Sequence, residues 1–60
     1  MKAIFTYVKG AWKFYALVSS SALLDTQLSH LLVNKQEYQV KDVPGNDPTK
    51  IEEIEDALNA

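Results

Sequence analysis

Met1-Lys2-Ala3-Ile4-Phe5-Thr6-Tyr7-Val8, then Lys9-Gly10, then Ala11-Trp12-Lys13-Phe14-Tyr15-Ala16-Leu17-Val18: this opening stretch decides the fold. Both eight-residue segments are rich in the β-branched and aromatic side chains that strands favour. Gly10, between them, can take the positive φ of a two-residue turn. The stretch therefore reads as a β-hairpin.

Its register follows from the pattern. A Lys9-Gly10 loop sets Val8 against Ala11, Tyr7 against Trp12, Thr6 against Lys13, Phe5 against Phe14, Ile4 against Tyr15 and Ala3 against Ala16. Because side chains alternate faces, one face then carries Ala3, Phe5, Tyr7, Trp12, Phe14 and Ala16. The other carries Lys2, Ile4, Thr6, Val8, Ala11, Lys13, Tyr15 and Leu17, a mixed set. A slip of one residue would set Phe5 against Lys13 and Thr6 against Trp12, mixing both faces. Ile4, Val8, Ala11 and Tyr15 also fall near one helical stripe, but Gly10 and the strand-forming composition weigh against a helix.

Beyond the hairpin, Ser19-Ser20-Ser21 reads as a turn ending in a helix cap at Ser21. It lacks the glycines and lysine of a phosphate loop. A helix is expected over about Ala22 to Val33, with Asp25 near the positive end of its dipole. Leu24, Leu28, Leu31 and Leu32 form its core-facing stripe, while Leu23 and Val33 lie off it. Asn34 suits a left-handed cap at the helix end. Residues 36–43 alternate as a half-exposed edge strand. Tyr38 and Val40 point one way and Glu37, Gln39 and Lys41 the other, with charges that discourage further pairing. Val43 breaks the alternation before the loop Pro44-Gly45-Asn46. Asp47-Pro48 then caps a closing helix whose narrow apolar stripe is Ile51, Ile54, Ala57 and Leu58. The expected fold is a small α+β domain of order β-β-α-β-α, an antiparallel sheet with an N-terminal hairpin packed by helices.

Sixty residues suit one domain spanning residues 1–60. A chain this short buries only about 60% of its unfolded surface, so its stability is marginal. It has no cysteine and one histidine, which removes disulfides, thiolate zinc sites and a His-only metal site as reinforcement. Oligomerisation or close packing remains. Lys9 and Lys13 interrupt the apolar start, so no signal-peptide core or membrane span is read there. The expected compartment is the cytoplasm, or the host cytoplasm if the gene is viral.

The residue types of a catalytic triad are present, but nothing in the sequence fixes them together. No catalytic, cofactor-binding or metal site is assigned, and no enzymatic activity is expected. His30 reads as an exposed helix residue. Glu52, Glu53, Glu55 and Asp56 point in different directions from one helix, which does not suit a hard-cation site. Their charge disfavours nonspecific nucleic-acid binding and suits a basic partner surface. They are the candidate partner-binding residues. Phe5, Tyr7, Trp12 and Phe14, near Lys9 and Lys13, could stack unpaired bases. The competing assignment, preferred here, makes them the core beneath the leucine stripe.

The function class that fits best is protein–protein interaction. It would be an accessory or inhibitor-type protein such as phages and mobile elements carry, with a nucleic-acid-binding module as the alternative. A homodimer is also expected. Its interface would lie on the mixed hairpin face around Ile4, Tyr15 and Leu17, where the first helix leaves apolar surface uncovered.

Overall fold

Lys9 and Gly10 both take positive φ, 52° and 83°, as a type I′ hairpin turn requires. They join β1 (Lys2–Val8) to β2 (Ala11–Val18) in the computed structural model, which describes residues 1–60. The chain continues through α1 (Ser21–Val33), β3 (Tyr38–Asp42) and α2 (Pro48–Leu58). The three strands form one antiparallel sheet in the order β2-β1-β3. The architecture is thus the expected small α+β fold of order β-β-α-β-α.

The hairpin register holds from the turn to Phe5, which lies against Phe14. It then shifts by one residue, so that Ile4 pairs with Ala16, Ala3 with Leu17 and Lys2 with Val18. Tyr15 is left without a partner residue, as in a β-bulge. The consequence is an exchange of faces beyond the bulge. Leu17 joins the face of Ala3 and Phe5, while Ala16 and Val18 join that of Ile4. The expected pairings of Ile4 with Tyr15 and Ala3 with Ala16 are corrected accordingly.

Ala3, Ile4, Phe5 and Thr6 are buried in succession. Four consecutive buried residues mean that the central strand is covered on both faces. The helices lie on opposite sides of the sheet. On one side Ala3, Phe5, Val43 and Ile51 pack with Trp12, Leu17, Ile54 and Leu58. On the other, Ile4, Val18 and Leu31 pack with Ala16, Leu24, Leu28, Tyr38 and Val40. The aromatic face therefore lies under α2, not under the leucine stripe of α1 as the sequence suggested. The leucines instead cover the mixed face, where Ile4 and the bulge-shifted Val18 supply what the uninterrupted register withheld. Leu32 belongs to the stripe by spacing but is exposed.

The helix caps follow local chemistry. Ser20, rather than Ser21, caps α1 with an Oγ that accepts from the Leu23 N–H at 3.2 Å. Asn34 is not left-handed (φ −85°); Lys35 is, at φ 55°. Asp47 caps α2 as expected, accepting from the N–H groups of Thr49 and Lys50 at 3.1 and 3.2 Å, with Pro48 in the first turn. Met1 and Val43 exchange backbone hydrogen bonds beyond the end of β3. This places Val43 in the core beneath α2 and accounts for its break in alternation.

Candidate functional site

Pro48 starts α2 beside the lower half of β2, and an open groove runs between them. Phe14, Leu17, Asn46, Pro48, Ile51, Glu52 and Glu55 line it, around a volume of about 540 Å³. Its apolar floor exists because the bulge at Tyr15 turns Leu17 to this side. Phe14 contacts the buried Phe5 edge-on, with centroids 5.8 Å apart, yet remains 39% exposed. A half-exposed aromatic ring rooted in the core is a ready contact surface.

Beside the groove, side chains of α2 and its C-cap Asn59 hydrogen-bond the backbone of β2. The Phe14 N–H donates to Glu55 Oε2 at 2.7 Å. The Trp12 N–H donates to Asn59 Oδ1 at 2.7 Å, and Asn59 Nδ2 donates to the Trp12 carbonyl at 2.9 Å. The same Nδ2 also donates to the Glu55 carbonyl at 3.1 Å. Asn59 thus satisfies Trp12 as a neighbouring strand would, and the outer edge of β2 is blocked by side chains.

The four acids assigned to partner binding divide by environment. Glu55 is half-buried and committed to Phe14. Glu52 lines the groove and is exposed. Glu53 approaches Lys50 at 3.9 Å on the open surface, an arrangement of little energetic weight. Asp56 is exposed and makes no ion pair. At about 100° per residue the four span roughly 160° of the helix circumference. They form one ridge, with the apolar stripe opposite. Glu55 and Asp56 lie near the C-terminal end of α2, and its last turn has no basic residue. Negative charge there opposes the helix dipole.

The three residues assigned to a dimer face do not share one. Ile4 is completely buried beneath α1, Leu17 lies on the α2 side, and Tyr15 sits at the bulge, 45% exposed. The bulge separates them. Asn59 and the edge contacts of Glu55 were missed from sequence. The only signal was their four-residue spacing, which puts both on one helix face.

Among the aromatics, Phe5 is core. Tyr7 and Trp12 pair edge-on, with centroids 5.2 Å apart, near the turn. His30 is exposed on α1, and the Ser29 hydroxyl donates to the Asp25 carbonyl. No group of three or more His, Asp or Glu side chains converges. No helix is long and apolar enough to cross a membrane.

No protein-family model, curated protein or solved structure matches this chain.

Proposed function

We propose that the chain is a non-catalytic protein-interaction protein of the accessory or inhibitor type, and that its α2 ridge and adjoining groove receive a basic segment of a partner. The observation that carries this reading is the pairing of an exposed aromatic floor with uncompensated acids. Phe14 and Leu17 offer apolar contact. Glu52 lines the same groove and Asp56 follows one helical turn further along α2, both without a counterion. Like charges four residues apart destabilise a helix by a few tenths of a kcal/mol, and acids at its C-terminal end add to that. A cationic partner would relieve both and gain in encounter rate.

The nucleic-acid alternative draws less support. Of its four aromatics, Phe5 is buried and Phe14 shares its groove with the carboxylates of Glu52 and Glu55, which repel phosphate.

The test uses the tagged protein and a variant carrying Glu52→Lys, Glu53→Lys and Asp56→Lys, with Glu55 kept. Both are used for capture from the native cell, with and without nuclease. A protein retained by the wild type, lost by the variant and indifferent to nuclease supports the reading. A partner retained equally by the variant, or released by nuclease, overturns it.

A further inference from the structure

The two edges of the sheet are treated differently. The outer edge of β2 is occupied by Asn59 and Glu55, whereas β3 carries nothing on its outer side. The β1–β3 ladder shows which groups are left open. Tyr7 donates to the Glu37 carbonyl, and Met1 and Val43 exchange bonds. Odd-numbered residues of β3 therefore face β1, and Tyr38, Val40 and Asp42 turn their N–H and C=O groups outward. Both helices pack more extensively against β2 than against β3, and no hydrogen bond is made to the outward backbone groups of Tyr38 and Val40.

We propose that a second copy of this chain pairs antiparallel along this edge, with Tyr38 opposite the partner's Val40, joining two sheets into one of six strands. Charge selects the register. A two-fold axis at Gln39 places Glu37 of each copy directly opposite Lys41 of the other, so two ion pairs flank the axis on the α2 side. Neither residue has an ion partner within its own chain. The same register sets Tyr38 against Val40 on the α1 side, an aromatic–β-branched pair of the kind that stabilises sheets. An axis at Val40 would set Lys41 against Gln39, and an axis at Lys41 would set the two lysines together. The charges that keep a foreign strand away are thus complementary to themselves. This interface goes beyond the proposed function and leaves the groove on the opposite edge free, so either can fail without the other.

Sedimentation equilibrium on the full chain tests it. An edge contact of this size gives weak association, with a dissociation constant on the order of 10–100 μM. Lys41→Glu or Glu37→Lys alone puts like charges opposite each other twice and should weaken the dimer about tenfold. Mixing the two variants restores both ion pairs, so the heterodimer should regain wild-type affinity. Amide exchange at Tyr38 and Val40 should slow as concentration rises. A chain that stays monomeric to 1 mM (an order of magnitude above the expected constant) overturns the proposal. So does a dimer indifferent to either substitution, or one that mixing fails to restore.

Discussion

Asn59→Ala should loosen the hairpin from a distance of 47 residues along the chain. The side chain supplies one acceptor and one donor to Trp12, at 2.7 and 2.9 Å. A net hydrogen bond contributes about 0.5–1.5 kcal/mol, and solvent access puts these at the low end. Two of them give about 1 kcal/mol. A 60-residue domain has about 3–9 kcal/mol in total at typical values per residue, so the loss is a tenth to a third of its stability. The melting temperature should fall by about 4–8 °C, read by far-UV circular dichroism. The Trp12 amide, which has no other acceptor on that edge, should exchange many-fold faster by NMR. Asn59→Asp keeps the acceptor for the Trp12 N–H and loses the donor, so it should fall between. An unchanged melting temperature together with a still-protected Trp12 amide would refute the argument that α2 blocks this edge.

Ile4→Ala removes a fully buried side chain from beneath α1 and should destabilise by about 2–5 kcal/mol, enough to unfold much of the protein in urea titrations; a mild effect would mean that Ile4 is not in the core. Lys9→Asn places a residue suited to the left-handed turn before Gly10 and should raise stability by about 0.5 kcal/mol, read as a higher urea midpoint at unchanged slope. Among the α2 acids, Glu55→Lys should lower the melting temperature, whereas Glu52→Lys should leave it nearly unchanged; equal effects would contradict the role of Glu55 at Phe14. The Lys2 ammonium hydrogen-bonds Asp42 and holds its carboxyl below the ordinary aspartate range, with their charge attraction adding to the effect. A depressed folded-state pKa contributes stability above the unfolded value near 4 and loses it as pH falls through the folded value. Asp42→Asn should therefore flatten stability against pH below about pH 4, a change that urea midpoints measured from pH 2.5 to 7 would detect.

How much of this was legible depended on whether the signal was local. The Lys9-Gly10 turn, the Asp47-Pro48 cap and the alternation of Tyr38 and Val40 each rest on a few adjacent residues, and each element formed where expected. The bulge did not show itself. Through Phe14 the uninterrupted pairing separates the two faces cleanly, and nothing in Tyr15-Ala16-Leu17 marks an inserted residue. The need for it is tertiary: the packing seats Leu17 on the α2 side and Val18 on the α1 side, the reverse of what uninterrupted alternation delivers. By size alone, the longer, leucine-rich helix is the expected cover for the aromatic face. The chain places α2 there: Val43, just after β3, packs in the cluster of Ala3 and Phe5, and α2 follows it onto that side with Ile51.

The site was partly legible for the same reason. Charge and spacing singled out the α2 acids, but not the separate role of Glu55, because its partner is a backbone N–H whose availability depends on strand order. With β1 central, both β2 and β3 become edges, and each exposes alternate backbone groups. Side chains of α2 satisfy the β2 edge at Trp12 and Phe14. The β3 edge has only charge at Glu37 and Lys41 to govern what approaches it. A chain with two thin cores and no disulfide has little stability to spare, so what occupies these edges bears directly on whether it stays folded and unaggregated. Blocking one edge internally also confines strand pairing to the other, which limits self-association to a closed pair rather than an open fibre.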